Sequence, residues 1–424
     1  MRRRTGFTLV EMMVSMALVI FIMVILSQAF VAGLESFRLL KATGDMQERL
    51  RTVSSVLRRD LASNHFGIGD NPHSLSVQTS GTWAPPASGF FRIWHGSAPS
   101  MTVGANYFDE GPDGDGIHSF RAVDHMLHFT ITSSANRREN YVSATVPPGT
   151  PAGAAIDSFG PADFQSLGLY NTRWAQVAYF LRPNGSSANG TILYGLYRRQ
   201  WAVIEKPGNV ATLNGLSPRV PLAAAFNAQF HDSSFYDISC KSDFASLPPS
   251  PNQYLYFEGP ADVTIPQLRF GTQIYPTTTA ASQQYAAGIP INVGTVANPV
   301  FAYPTLSEQL GSSSTAAGYD LPLTDVVSFE VKVLQAGSST PAFVSLWDTS
   351  IPTPTNTAIT SFNVRVFDTW SSQTIGSYDY SGWATPSTDT SIPIQINILA
   401  LQITIRVWDA KSQQTRQITI IQDV

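Results

Sequence analysis

The sequence predicts an α+β fold, with one long N-terminal helix packed on an antiparallel β-sheet body that is enlarged by β-rich insertions. Three observations lead there. From Met12 to Leu34 the chain runs for 23 positions without a charged residue. Apolar residues then recur every three or four positions as far as Leu61, and no proline interrupts residues 7 to 71. After that, short apolar runs alternate with turn residues, in a chain holding 30 glycines and 28 prolines. The first run is long enough to cross a bilayer, the second has the periodicity of one helical face, and the rest has the punctuation of a sheet.

The helix comes first. Arg2, Arg3 and Arg4 precede the apolar run and Glu35 follows it, which by the positive-inside rule places the C-terminal body outside the cytoplasm. No A-x-A cleavage site follows the run, so an ordinary signal peptide is disfavoured. Beyond it lies an apolar stripe of Leu34, Phe37, Leu40, Met46, Leu50, Val53, Leu57 and Leu61. Between them, Arg38, Lys41, Glu48, Arg49, Arg51, Arg58, Arg59 and Asp60 read as a solvated face. One helix from Phe7 to about Ser63 is expected, with Gly33 and Gly44 as its only soft points. Its stripe beyond the membrane needs a cover, which the chain's own β body can supply. Glu11 stands out inside the apolar run: it either snorkels to water or meets a partner.

The body comes second. Gln176–Arg182 and Thr191–Arg199 form a hairpin around a Pro-Asn-Gly-Ser-Ser-Ala-Asn-Gly loop. Further strands are expected at Val327–Leu334, Phe362–Phe367, Leu399–Trp408 and Arg416–Ile421, the last two as a hairpin. Trp347-Asp348, Phe367-Asp368 and Trp408-Asp409 read as strand ends entering Asx-type turns. Residues 65 to 165 and 205 to 320 hold the insertions, as a second β subdomain or as long loops on one sheet.

Composition narrows the chemistry. Charged residues make up 13% of the chain and its formal net charge is −4, so no basic footprint for nucleic acid exists. Cys240 is the sole cysteine, which excludes an internal disulfide and a cysteine-based zinc site. Asp109-Glu110-Gly111-Pro112-Asp113-Gly114-Asp115-Gly116 is a candidate calcium loop through Asp109, Asp113 and Asp115. It lacks the terminal glutamate of an EF-hand, and a solvated Asp-Gly turn competes with it. His125 and His128 point to opposite faces of a strand and cannot share a metal, so core or surface histidines are expected there, as for His118. No nucleophile elbow, phosphate loop or H-E-x-x-H is present, and a non-enzymatic chain is expected.

Gly6-Phe7-Thr8-Leu9-Val10-Glu11 resembles the prepilin signal of type IV pilins and type II secretion pseudopilins. The resemblance implies a leader of residues 1–6 removed after Gly6 by a prepilin peptidase and N-methyltransferase. It implies an N-methylated Phe7, and Glu11 as the fifth mature residue, meeting the amine of a neighbouring subunit. Gln47–Arg51, Leu57–Leu61, and V-x-Y-x-L at Val177–Leu181 followed by L-x-R-R at Leu196–Arg199 are similar to the J-type minor pseudopilins and large minor pilins. On that reading residues 7–34 are the transmembrane assembly segment, 35–63 the amphipathic half of the helix, and 64–424 the extracytoplasmic body. The implied function is a minor pilin or pseudopilin, first in the inner membrane and then at or near the filament tip, with other pilins as partners. The alternatives are a pilus-associated adhesin or ligand-binding tip protein, and a tethered enzyme that borrows the signal.

Overall fold

The computed structural model describes residues 8–67, 75, 78–79, 82–83, 86–112, 114, 116, 118–133, 141–145, 169–204, 219–221, 239–243, 254–257, 259–264, 273–274, 284–285, 291–292, 301–302, 319–337, 341–351, 365–369 and 396–424. A helix α1, Leu9–Leu61, runs unbroken for 53 residues, about 80 Å at ~1.5 Å per residue. Gly33 and Gly44 do not interrupt it, and neither has a neighbour that an added Cβ would meet within 4 Å. Residues 8 to 41 are exposed throughout. From there Ala42, Met46, Leu50, Val53, Leu57 and Leu61 are buried at spacings of three and four.

The expected stripe is therefore only half covered. Leu34, Phe37 and Leu40 remain 42%, 66% and 72% exposed. The body's rim explains this: Ala42 and Met46 line a cleft with Leu323, Val407 and Asp409, where the sheet ends. Asp60 corrects the reading in the other direction. It was assigned to the solvated face, yet it is 1% exposed, because polar side chains of the sheet meet it there.

The sheet strands, in chain order, are β1 Phe91–His95, β2 Tyr107–Pro112, β3 His118–Ala122, β4 His125–Thr132, β5 Trp174–Ala188 and β6 Thr191–Val203. They continue as β7 Tyr319–Gln335, β8 Phe343–Val344, β9 Arg365–Asp368, β10 Ile398–Asp409 and β11 Gln414–Asp423. Nine of them form one antiparallel sheet in the order β9-β1-β4-β5-β6-β7-β10-β11, with β8 alongside β7. β2 and β3 make a separate hairpin. Short two- and three-stranded pairings occupy residues 78–83, 142–172 and 219–302. Of the two stretches read as insertions, the first thus also supplies β1 and β4 to the main sheet.

The β5–β6 hairpin is longer than its sequence suggested. Strand pairing runs to Ala188↔Thr191, leaving Asn189-Gly190 as a two-residue turn. Both turn residues have positive φ, 49° and 84°, the conformation for which Asn-Gly is favoured because it matches the twist of the strands. Pro183 and Ser187 still pair with Tyr194 and Ile192, and Asn184-Gly185-Ser186 between them form an irregularity in the ladder. Strand β7 bends in the same region. Its first half pairs with β6 and its second with β10, and Asp325 sits at the change with φ 59°.

One face of the sheet holds the main core. Phe91, Ile93, Leu127, Phe129, Val177, Tyr179, Leu196, Phe329, Val331, Leu401, Ile403, Ile405 and Ile420 pack there with the buried face of α1. The β2–β3 hairpin lies against β7 and β10. Arg406 bonds Glu110 at 2.6 Å and the Phe120 carbonyl at 2.7 Å, the Ala122 amide donates to Ser328 at 3.0 Å, and Lys332 sits over the Phe120 ring. Of the three aromatic-Asp ends, two make the expected turns: the Ser350 amide donates to Asp348 and the Ser412 amide to Asp409. Asp368 is fully buried instead.

Candidate functional site

The site starts at the tip of α1. Thr8 is the N-cap, with extended backbone, and its hydroxyl accepts the Glu11 amide at 3.3 Å. Glu11 Oε2 reaches back to accept the Thr8 amide and the Thr8 hydroxyl, each at 2.9 Å. This is a reciprocal capping box, which satisfies two amides that the first helical turn leaves without partners. The T-x-x-E spacing of Thr8 and Glu11 is the local sequence signature of this cap. It explains why the helix begins at Leu9. It also gives Glu11 a partner inside its own chain, while Oε1 accepts no bond among the described residues. Gly6 and Phe7 lie outside the described residues.

Past the cap, the helix is long and apolar enough to cross a membrane, and none of that stretch is buried in the body. Ser15 and Ser36 turn their hydroxyls back onto the carbonyls of Met12 and Ala32, which hides their polarity on the helix itself.

The other end of the helix is clamped. Asp60 Oδ2 accepts from Arg198 Nε at 2.6 Å and from the Tyr179 hydroxyl at 2.6 Å. Asp60 Oδ1 accepts from the adjacent Arg59 at 3.3 Å. Burial alone would pull the Arg198 pKa down, but Asp60 overrides it and pushes the pKa up, so Arg198 stays charged. Burial, and then the Asp60 charge, push the Tyr179 hydroxyl well above its ordinary range. Arg58 reaches the Ile421 carbonyl on β11. His65 closes the helix end, with one ring nitrogen 3.1 Å from the Leu61 carbonyl and the other 2.8 Å from the Thr130 carbonyl.

The acidic turn sits on the β2–β3 hairpin. Asp109 accepts the Gly111 amide at 2.9 Å and pairs with His118 at 2.9 Å. Its pKa is lowered: the slight burial opposes this, and the His118 and Gly111 bonds outweigh it. Asp113 and Asp115 lie outside the described residues, and among the described residues no three His, Cys, Asp or Glu side chains gather to hold a metal. Asp109 is thus engaged as the acceptor of a turn.

His125 and His128 do face opposite sides of β4, and both are fully buried. His128 accepts from Arg92 and faces Gln176, extending a polar row behind the sheet. His125 stacks on His95 with ring centroids 3.7 Å apart. The Val331 amide donates to His125 Nδ1, and the Leu346 amide to His95 Nδ1. Those donors fix the lone pair on Nδ1 in each ring and the proton on Nε2, so this pair is built to stay neutral rather than to ligate a metal through Nε2. Burial first, and the neighbouring Lys332 charge, push His95 down to about 3 and His125 well below its ordinary value. Nearby Asp124 is pushed up to about 6 by burial, partly offset by its bonds from the Ser97 amide and hydroxyl.

These elements define a class: a membrane-capable helix, capped at its N-terminus and clamped at its C-terminus to an antiparallel sheet. Residues 1–27 match the family described as the prokaryotic N-terminal methylation motif. The chain therefore carries the prepilin-type signal of type IV pilins and pseudopilins. No curated protein and no solved structure matches the chain.

Proposed function

We propose that this chain is a minor pilin or pseudopilin, a structural rather than catalytic subunit that enters a type IV pilus or type II secretion pseudopilus at or near its tip. One observation carries the reading: the methylation signal leads into a helix whose residues 8 to 41 are exposed and almost wholly apolar over the first 27 of them. Such a surface is stable only against lipid or against other apolar helices. The body then stands outside the cytoplasm, and filament assembly replaces lipid contacts by contacts with sister helices.

In this scheme a prepilin peptidase cuts after Gly6 and methylates Phe7. The new amine lies beside the Thr8–Glu11 cap. Glu11 Oε1 accepts from the amine of a neighbouring subunit while Oε2 keeps the cap. Mass spectrometry of the mature N-terminus tests the processing: N-methyl-Phe7 is expected, and Gly6→Ala accumulates uncut precursor in membranes. Normal cleavage of Gly6→Ala would sink the reading. Glu11→Ala is expected to be cut normally yet to enter filaments poorly, and unchanged entry would remove the pairing role. Calcium at Asp109, Asp113 and Asp115 is the lesser reading of that loop, since Asp109 already serves as a turn acceptor, and it is tested by whether added calcium raises the melting temperature of the wild type and not of Asp113→Asn.

A further inference from the structure

The main sheet ends in two edge strands of different kinds. At one edge, β9 is four residues long, with Phe367 and Asp368 buried. At the other, β11 runs for ten residues beside β10 with no shift of register, and it holds no proline, glycine or lysine to blunt it. The Val424 amide donates to the Leu399 carbonyl opposite it, at 3.2 Å, and an antiparallel ladder alternates between bonded and non-bonded pairs. The even-numbered residues from Gln414 to Gln422 therefore turn their amides and carbonyls to β10, and Thr415, Gln417, Thr419, Ile421 and Asp423 turn theirs outward. Arg58 reaches the Ile421 carbonyl from beyond the ladder, as that alternation requires. All five outward residues are exposed. Among the described residues the outward amides and carbonyls of Thr415, Gln417 and Thr419 make no bond.

An open row of backbone donors and acceptors is a template for one more strand. What that strand must carry is set by the flank of α1 beside it. Ile418 and Ile420 turn toward the helix, so Arg416 and Gln422 share that side and Asp423 takes the other. Arg51 and Arg58 stand about two helical turns apart on one side of α1, and both are exposed. Apart from the Arg58 bond to Ile421, neither is paired among the described residues, and the same holds for Arg416. Glu48, one turn before Arg51, bonds none of them. The helix side of the edge thus offers the guanidinium groups of Arg51, Arg58 and Arg416. A second copy fits this edge poorly. β11 runs in the same sense as α1, since the β10–β11 turn lies by Ala42 and Met46 while Ile421 lies by Arg58. Antiparallel pairing of β11 with its copy would invert one helix against the other in a shared membrane. We propose that the β11 edge takes an extended segment of another protein as an added antiparallel strand, with acidic side chains on its helix-facing side meeting Arg51 and Arg58. A body that enters no filament would carry the same edge, so this reading and the filament reading fail separately.

The test uses the full chain in non-ionic detergent and a labelled peptide, Thr-Glu-Val-Glu-Val-Glu-Val-Thr, whose glutamates and valines lie on opposite faces when extended. With the glutamates toward α1, the valine amides face β11 and the glutamate amides face solvent. The parent peptide is expected to bind saturably. N-methylation of its valines should cost at least about tenfold in affinity, and N-methylation of its glutamates less than about threefold. Thr419→Pro removes an outward amide without taking a ladder bond, and should also lose at least about tenfold. Arg51→Gln with Arg58→Gln should lose several-fold, more at low salt than at high. Melting curves show which variants are folded, and if Thr419→Pro is not, the two methylated peptides decide. Absence of saturable binding by the parent, equal binding of the two methylated peptides, or unchanged affinity in folded Thr419→Pro or in the arginine double variant overturns the proposal. Self-association of the wild-type chain that Thr419→Pro abolishes overturns it as well, and reassigns the edge to a second copy.

Discussion

Leu26 and Leu57 belong to one unbroken helix, yet Leu26 is 63% exposed and Leu57 is fully buried. The two halves of α1 share one unbroken helical backbone. They differ in what lies beside them. Burying a leucine is worth about 1.5–3 kcal/mol, so the seated half is held by its own sheet while the free half must be stabilised by lipid or by other chains. The helix is thus continuous across both environments, and tertiary contact decides which half belongs to the monomer.

The largest effect should come from breaking the clamp. Asp60→Ala leaves Arg198 charged and buried without its carboxylate, and is expected to cost about 3–5 kcal/mol. Thermal melting in detergent checks this, with Asp60→Asn intermediate because it keeps an acceptor for Tyr179. Melting within about 0.5 kcal/mol of the wild type for both variants would mean that the clamp does not hold the helix.

Next comes the direct contrast. Leu57→Ala should cost about 2–5 kcal/mol, whereas Leu26→Ala should leave the melting of the full chain in detergent unchanged and weaken only membrane retention and assembly. Equal losses of stability in the two variants would erase the distinction between the halves.

Titration sharpens the contrast, because the fully buried ionisable groups sit in the body or at the clamp. His95 and His125 are neutral in the fold, while the unfolded chain protonates them near 6.5. Their contribution is complete above that pH and is lost progressively as pH falls from about 6.5 toward 3. Asp124 works the other way. Its pKa, raised to about 6 from 3.8, means that its ionisation penalises the fold above that window and not below it. Asp124→Asn should therefore gain about 1–3 kcal/mol at pH 8, and the gain should vanish near pH 3.5. A gain that persists in acid would show that packing, not ionisation, is responsible.

The smallest effect is at the border. Gly44 has open space around its Cβ position and lies just inside the seated half. Gly44→Ala should add up to about 1 kcal/mol by helix propensity alone, read as a small rise in melting temperature. A fall would mean that the helix needs to flex where it leaves the body.

Much of this was legible along the chain. The helix, its span, the methylation signal, the β10–β11 hairpin and the Asx turns at Asp348 and Asp409 all follow from patterns a few residues long. The Thr8–Glu11 cap is equally local, since its T-x-x-E spacing alone specifies it. The failures share a cause. Asp60 looks like a surface residue beside Arg58 and Arg59, and becomes a core residue only because Tyr179 and Arg198, 119 and 138 positions later, meet it. The β11 edge likewise meets Arg58 across 363 positions, through a fold that no short window contains.

By itself, then, the sequence determined that one long helix leads the chain, how far it stays apolar, and that β5, β6, β7, β10 and β11 are strands, because dihedral preference and hydrophobic period act over one or two turns. Only the tertiary structure decided that Leu34, Phe37 and Leu40 lie beyond the sheet's rim, that Asp60 is buried, and that the Phe91 amide meets the Thr369 hydroxyl 278 residues away. Those outcomes depend on strand order, which is set by the summed burial of distant faces rather than by any local pattern.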